Sequence, residues 1–126
     1  MSKAFIIDDD PIHHRIVQIV IQKHNIYDES QSFTDARGAV KFLKENAENA
    51  GILPDIILLD LNMPVMDGWG FLEEFKSFKD TLKKEVKIFI VSSSVDEQDI
   101  LRSQSYPFVH DFISKPLSPA VLKSTL

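Results

Sequence analysis

Short runs of hydrophobic residues recur along the chain at the spacing expected of buried β-strands. The clearest runs cover residues 4–7, 56–59 and 88–91, and weaker candidates lie at residues 29–33 and 112–113. The clearest runs are continuously apolar rather than alternating, which is typical of strands that are covered on both faces. The pattern therefore predicts five strands in the interior of the protein.

Segments with helical spacing separate these runs, because their apolar residues recur three and four positions apart. The first segment begins with Asp10, whose side chain can cap free backbone N–H groups, and Pro11, whose missing N–H is not needed there. The apolar faces of the first three helices are expected to comprise Ile12, Ile16, Val17, Val20 and Ile21, then Ala36, Val40 and Leu43, and then Phe71, Leu72, Phe75 and Phe78. Two further helices are predicted at residues 96–104 and 118–126.

Strands that alternate with helices in this way predict an α/β fold with a doubly wound, five-stranded parallel sheet and helices on both faces. The chain has 126 residues and shows no repeat or linker, so we expect a single domain over residues 1–126. In sheets of this kind, ligands bind beyond the carboxyl ends of the central strands, where the strand order reverses. The functional residues are therefore expected at that edge.

The overall composition is that of a globular protein, with 44% hydrophobic and 26% charged residues. A net charge of −5 and a pI near 5.3 argue against nucleic acid or an anionic membrane as a partner, because clustered Lys and Arg bind both. Lysines do cluster between Lys76 and Lys87, but Asp80 and Glu85 interrupt them. We interpret this stretch as a solvent-exposed face without a function of its own.

The absence of cysteine excludes disulfides, thiolate metal sites and a cysteine nucleophile, and it favours a reducing compartment. The first apolar run ends at Asp8, which makes it too short for a signal sequence or a membrane span. A cytoplasmic location is therefore expected.

Polar residues follow four of the predicted strands at the point where each strand ends. These residues are Asp8, Asp9, Asp60, Ser92 and Lys115. Because the carboxyl ends of parallel strands meet at one edge of the sheet, we expect the side chains to lie close together. Three adjacent carboxylates repel one another unless a cation neutralises them, and Mg²⁺ prefers such oxygen ligands. The sequence therefore predicts a magnesium site, in which Asp10 takes no part beyond capping the helix.

Asp60 is the candidate nucleophile of this cluster, because it directly follows an apolar strand. A carboxylate beside Mg²⁺ can accept a phosphoryl group, since the ion offsets the charge on the phosphoryl oxygens. Lys115 can pair with Asp60 at rest and with the phosphoryl group afterwards, and Ser92 can donate a hydrogen bond. The neighbouring His13 and His14 are assigned no role, because only one of two adjacent helical residues can face a given site.

In these residues the sequence resembles the response-regulator receiver family, essentially over the whole chain and in the same order. The resemblance rests on motifs near the ends of the predicted strands. The motifs are Ile6-Ile7-Asp8-Asp9, Leu59-Asp60-Leu61-Asn62-Met63-Pro64, Met66-Asp67-Gly68, Val91-Ser92-Ser93 and Ser114-Lys115-Pro116. The resemblance implies a flavodoxin-like receiver fold with strand order 2-1-3-4-5.

The function implied by the resemblance is that of a phosphoacceptor switch in a two-component phosphorelay, rather than an enzyme. Asp60 would receive a phosphoryl group from the phosphohistidine of a sensor histidine kinase or a phosphotransfer protein. Mg²⁺ would be bound by Asp9, Asp60 and the backbone carbonyl of Asn62, and by Asp8 through water.

The resemblance also implies supporting roles around Asp60. Lys115 and Ser92 would bind the phosphoryl oxygens, while Pro116, preceded by a cis peptide bond, and Gly68 would be structural. Ser92 and Phe112 would form a switch, in which the aromatic ring changes rotamer as the hydroxyl moves toward the phosphoryl group.

Output is expected to pass through protein contacts to an unidentified downstream protein, as in stand-alone receivers. The expected surface is the face formed by the fourth helix, the fifth strand and the fifth helix. Asn62 and Ser94 are expected to tune the attack of water on the aspartyl phosphate, because the matching family positions border the path of that water.

Two alternative functions share some of these residues. A haloacid-dehalogenase-like phosphatase also uses an aspartate nucleophile and Mg²⁺, but it needs a second aspartate where this chain has Asn62. A degenerate receiver would bind partners without being phosphorylated, and the intact set of Asp9, Asp60, Ser92 and Lys115 argues against it.

Overall fold

The computed structural model describes residues 2–93 and 96–126, in which five strands form one parallel sheet. The strand order is β2-β1-β3-β4-β5, which confirms the predicted topology. The strands are β1 (Lys3–Ile7), β2 (Glu29–Phe33), β3 (Ile56–Asp60), β4 (Lys87–Ser92) and β5 (Val109–Ser114).

Within the described residues, four α-helices connect the strands and a fifth follows β5, and together they cover both faces of the sheet. They are α1 (Pro11–His24), α2 (Ala36–Glu45), α3 (Gly68–Phe78), α4 (Glu97–Ser103) and α5 (Pro119–Lys123), and a short 3-10 helix, Lys79–Thr81, follows α3. Helix α5 is shorter than predicted, because its helical hydrogen bonds begin at the Ser118 cap and end near Ser124. None of the helices within the described residues is long and apolar enough to cross a membrane.

The sheet separates two hydrophobic cores, and alternate residues of β1 contribute to each. Phe5 and Ile7 belong to the core beneath α2 and α3, whereas Ala4 and Ile6 belong to the core beneath α1 and α5. All five residues of β3 are buried, as expected of a central strand covered on both faces. This rigid centre fixes the positions of the residues that follow β1 and β3.

The inner face of α1 was predicted correctly in part, because two of the five apolar residues assigned to it face solvent. Ile12 and Ile16 were expected to face the sheet, but they are 69% and 53% exposed. The buried residues of α1 are His14, Val17 and Ile21. The apolar residues of α1 form two stripes, and the His14 stripe is inward because that ring hydrogen-bonds to backbone carbonyls at the ends of β1 and β2. The apolar pattern alone therefore placed Val17, Val20 and Ile21 correctly on the inner face and Ile12 and Ile16 wrongly.

Strand register brings the ends of the central strands to one edge. Ile7 pairs with Leu59 and Asp60 pairs with Val91, so β1, β3 and β4 end nearly level. The backbone N–H of Lys115 donates to the carbonyl of Ser92 at 2.8 Å, which carries the alignment to the end of β5. The predicted site residues therefore share the carboxyl edge of the sheet.

The loop from β3 to α3 approaches its own strand closely at Gly68. The Gly68 N–H donates to the carbonyl of Leu61 at 2.9 Å. A Cβ atom at Gly68 would lie 2.7 Å from the backbone oxygen of Asp60 and 2.8 Å from the Cα of Leu61. Backbone atoms cannot give way as a flexible side chain can, so this position requires glycine.

Gly68→Ala should therefore destabilise the protein by roughly 1–3 kcal/mol, the usual range for overpacking a tight site. Gly38→Ala is the matched control, because its Cβ would meet only the Phe33 ring, at 3.9 Å, and it lies in α2. That control should be neutral or stabilising by up to about 1 kcal/mol. Urea denaturation of both variants would check this, and equal stabilities would contradict the proposed close approach.

Candidate functional site

Three carboxylates converge at the carboxyl edge of the sheet. Asp8, Asp9 and Asp60 offer oxygen atoms that all lie within 4.8 Å of one another. Asp8 and Asp60 are buried, whereas Asp9 is exposed. This is the juxtaposition expected of aspartates that end β3 and follow β1 in a parallel sheet.

Lys115 supplies a positive charge to this cluster. Its Nζ lies 2.9 Å from Oδ2 of Asp8 and 3.8 Å from Oδ2 of Asp60, so the closer partner is Asp8. Pairing with Asp60 was expected at rest, and the longer distance makes that pair the weaker one. The Lys115–Pro116 peptide bond is cis, as the family resemblance implied.

Both histidines at the start of α1 contact Asp8, although sequence reasoning assigned them no role. His13 Nδ1 lies 2.7 Å from Oδ2 of Asp8, which is ion-pair distance when the ring is protonated, although the geometry is not aligned for a hydrogen bond. His14 Nε2 lies 2.6 Å from the backbone oxygen of Asp8 and 3.2 Å from that of Phe33. Carbonyl oxygens only accept, so Nε2 of His14 carries a proton.

Two adjacent helical residues both contact Asp8 because their rings reach different atoms of it, so the prediction that neither has a role was wrong. His13 reaches the side chain and His14 reaches the main chain. The signal that could have identified them is their place in the first turn after Pro11, within reach of a strand end. We therefore add His13 to the residues that contact the acidic cluster.

The Asp8 carboxyl is stabilised in its charged form. Burial opposes ionisation, but contacts with His13, the backbone N–H of Asp10 and Lys115 outweigh burial and hold the pKa of Asp8 well below its usual range. Asp10 N donates to Oδ1 of Asp8 at 2.9 Å, so each oxygen of this carboxylate has a partner. Asp8 is therefore a fixed negative charge in the site.

The Asp60 carboxyl, in contrast, is stabilised in its neutral form. Burial and the nearby charge of Asp8 raise the pKa of Asp60 to about 6, and Lys115 offsets this only in part. Oδ1 of Asp60 accepts a long hydrogen bond from the backbone N–H of Asn62, at 3.4 Å. The structure thus places a poorly compensated carboxylate at the end of the central strand.

This donor set fits a hard divalent cation. Carboxylate oxygens are the ligands that Mg²⁺ and its relatives prefer, and a cation here would relieve the repulsion that raises the pKa of Asp60. Asn62 is exposed beside the cluster and lines an adjoining cavity of about 410 Å³ with Asp67 and Trp69. The residues present are therefore compatible with the ion that the sequence predicted.

The two predicted switch residues lie on neighbouring strands near this edge. Ser92 is buried at the end of β4, and Phe112 of β5 pairs with Ile90 of β4. The Phe112 side chain is half-buried and packs against the core beneath α2 and α3. Ser94, expected to influence the attack of water, lies outside the described residues.

An aromatic contact joins α3 to α4 beside the site. The guanidinium of Arg102 lies 4.4 Å from the ring centroid of Trp69, and Tyr106 stacks against the same ring at 6.2 Å. Trp69 directly follows Gly68, at the beginning of α3. A cation–π contact with α4 and a ring stack with the segment that follows α4 therefore hold the first turn of α3 in place.

Comparison of the sequence with known families gives one match that covers nearly the whole chain. Residues 4–126 match the response regulator receiver domain. Among curated proteins, the chain is 31% identical over 99 residues to the response regulator Rcp1 of Synechocystis sp., covering 78% of this chain and 66% of that protein. The chain spans between 50% and 76% of the length of the first curated relatives it matches.

Solved structures of similar sequence share the fold. A two-component response regulator from Cytophaga hutchinsonii is 31% identical, with a TM-score of 0.88 over 98% of this chain and 92% of that one. A phosphorylated cyanobacterial phytochrome response regulator, RcpA, is 30% identical, with a TM-score of 0.79 over 98% and 90%. An Mn²⁺-bound form of Rcp1 is 28% identical, with a TM-score of 0.76 over 98% and 88%.

The raised pKa of Asp60 predicts a pH-dependent stability in metal-free buffer. Its ordinary value is 3.8 and its value in the folded protein is about 6, so the folded state binds this proton more tightly than the unfolded state. Stability from this group is present below pH 4 and is lost as pH rises through 6. Asp60→Asn should therefore exceed wild type in unfolding free energy at pH 8, by on the order of 2–3 kcal/mol.

That gain should shrink as pH falls through 6 and disappear well below pH 3.8, where Asp60 is protonated in both states. Urea denaturation across this pH range measures it, with Glu48→Gln as a control that removes an exposed carboxylate outside the cluster. If the unfolding free energy of Asp60→Asn exceeded that of wild type by the same amount at all pH values, ionisation of Asp60 would not be the cause.

Proposed function

Because the chain belongs to the response regulator receiver family, we propose that it is a phosphoacceptor switch whose acceptor is Asp60. The observation that carries the proposal is the convergence of Asp8, Asp9 and Asp60 with the ammonium group of Lys115. The donor would be the phosphohistidine of a sensor histidine kinase or a phosphotransfer protein. Phosphorylation of the similar RcpA supports this chemistry.

In the proposed transfer, a carboxylate oxygen of Asp60 attacks phosphorus as the nitrogen–phosphorus bond of the donor breaks. An acyl phosphate forms on Asp60, and the electron pair of the broken bond returns to the donor imidazole. Lys115 lies 3.8 Å from Asp60, so its ammonium can follow the negative charge from the carboxylate to the phosphoryl oxygens. The Ser92 hydroxyl would donate a hydrogen bond to the same oxygens.

Mg²⁺ is the proposed cofactor. Asp9, Asp60 and the backbone carbonyl of Asn62 would bind it directly, and Asp8 would act through water. When bound, the ion would offset negative charge on the reacting oxygens. The Mn²⁺-bound form of Rcp1 supports a divalent cation here, as does the repulsion that raises the pKa of Asp60.

The response to phosphorylation is proposed to run through Ser92 and Phe112. A new phosphoryl group presents strong acceptors, toward which the Ser92 hydroxyl would move. The half-buried Phe112 ring could then occupy the space that is left, and packed interiors favour two discrete arrangements over a continuum. The change would be read by a downstream protein on the face formed by α4, β5 and α5.

The two alternatives receive less support. A dehalogenase-like phosphatase lacks its general acid, because Asn62 occupies the required position. A degenerate receiver would have no reason to retain a buried, poorly compensated carboxylate at Asp60, which costs stability. We therefore favour a phosphorylated regulatory domain acting in the cytoplasm through protein partners.

Asp60→Asn should abolish the mass gain of about 80 Da, one phosphoryl group, that a small phosphodonor such as acetyl phosphate produces with Mg²⁺. The variant removes the nucleophile but keeps the shape of the side chain. Asp10→Asn is the matched control, because it removes a neighbouring charge outside the cluster and can still cap α1. Intact-mass spectrometry measures both, and labelling of the Asp60 variant would refute the assignment.

Mg²⁺ should stabilise the folded protein by about 1.4 kcal/mol at ten times its dissociation constant, because it binds the folded state preferentially. Asp9→Asn should lose most of this gain, whereas Asp10→Asn should keep it. Thermal or urea unfolding with and without Mg²⁺ provides the measurement. An equal gain in wild type and the Asp9 variant would exclude Asp9 as a ligand.

A further inference from the structure

A second cavity lies at the opposite, amino-terminal edge of the sheet. Its volume is about 560 Å³, within the range of pockets that hold small molecules. The starts of β4 and β5 border it at Lys87 and His110, and the segment after α3 completes it. Its lining includes four lysines, Lys79, Lys83, Lys84 and Lys87.

The charge of this region opposes that of the whole chain. Residues 76–87 carry five lysines against Asp80 and Glu85, an excess of three positive charges in a chain of net charge −5. Sequence reasoning interpreted this stretch as an ordinary solvated face. The structure instead gathers four of its lysines around one concave surface.

Two of the four lysines are held in place by other groups. Lys84 Nζ lies 2.9 Å from Oδ1 of Asp55 and donates to the backbone oxygen of Leu53 at 3.1 Å. Lys79 pairs with Asp80 at 3.0 Å and lies 5.8 Å from the ring centroid of Phe108. Their charges are therefore already partly compensated.

The other two lysines keep their full charge. Among the residues that the structure describes, Lys83 and Lys87 form no ion pair, although Glu85 also lines the cavity. The backbone at both lysines is fixed, because Lys83 N donates to the carbonyl of Ala47 at 2.8 Å and Lys87 N to that of Asp55 at 3.0 Å. Two uncompensated ammonium groups on fixed backbone favour a ligand with a doubly charged anionic group.

One wall of the cavity is apolar. Pro107 is exposed, and Phe108 is half-buried against Phe75, with ring centroids 5.3 Å apart. Tyr106 packs edge-on to Phe108 at 5.8 Å, which fixes the ring further. A flat hydrophobic group could lie against this wall while an anionic group reaches the lysines.

We propose that this cavity binds a small phosphate monoester that carries a flat ring system, the chemistry of a mononucleotide. The phosphate would be bound by Lys83 and Lys87, and the ring would pack against Pro107 and Phe108. The site is separate from the acidic cluster and does not depend on the phosphoacceptor function. It would be a ligand-binding site at the amino-terminal edge of the sheet.

The test is a titration of the full chain with AMP in metal-free buffer, followed by NMR of the backbone amides. Saturable shifts are expected at residues 83–87 and 107–110, and these should weaken as salt is added. Adenosine and inorganic phosphate, titrated separately, should each bind more weakly than AMP. Adenosine lacks the phosphate group, and inorganic phosphate lacks the ring system. Equal affinity for inorganic phosphate would overturn the assignment to a ring-bearing ligand.

The Lys83→Gln, Lys87→Gln double variant should weaken AMP binding by at least about tenfold, since it removes both uncompensated charges. Lys76→Gln is the matched control, because Lys76 belongs to the same basic stretch but does not line the cavity. It should change the affinity by less than about twofold. Equal loss in both variants, or the absence of saturable shifts at the cavity, would overturn the proposal.

Discussion

The repulsion between two buried carboxylates, Asp8 and Asp60, is the constraint around which the carboxyl edge of the sheet is organised. Both groups end up side by side because β1 and β3 are adjacent, parallel and nearly level at their ends. Burial of like charges costs free energy, and the protein offsets it unequally. Asp8 receives His13, Lys115 and a backbone N–H, whereas Asp60 is left with a raised pKa. Because its charge is less well compensated than that of Asp8, Asp60 is the carboxylate that a bound cation or phosphorylation would stabilise more.

The same constraint reaches into the helix that follows β1. Asp10 caps α1 through Ile12 N, and the rings of His13 and His14 both contact Asp8. These contacts determine which face of α1 turns toward the sheet, because rotation of the helix would break them. The exposed isoleucines of α1 are a consequence of this arrangement. The contacts with Asp8 thus determine the rotation of α1, which the apolar pattern alone does not determine.

The fold and most of the candidate site could be predicted because they depend on the order of elements. Continuous apolar strands followed by Asp8, Asp60 and Ser92 lead to one topology and one edge, whichever side chains surround them. The predictions that were wrong depend on how α1 is rotated and on how far individual side chains reach. The rotation of α1 has two solutions in the sequence, and the contact of His13 with Asp8 depends on where the first turn of that helix points. The closer pairing of Lys115 with Asp8 depends on a difference in distance, 2.9 Å against 3.8 Å, that no sequence pattern encodes.

The two edges of the sheet carry opposite charge, and their separation decides whether they influence each other electrostatically. Strand β4 has six residues, so its ends lie roughly 16 Å apart at about 3.3 Å per residue. That distance is about twice the Debye length at physiological ionic strength. The exposed charges of the two edges are therefore largely screened from each other, whereas the charges of the buried Asp8 and Asp60 are screened less. An influence could also pass through packing, because the rings of Trp69, Tyr106, Phe108 and Phe75 form a continuous series of contacts from one edge toward the other. Contacts of this kind are necessary for such an influence but do not create it, since coupling also requires two arrangements that the two edges favour differently.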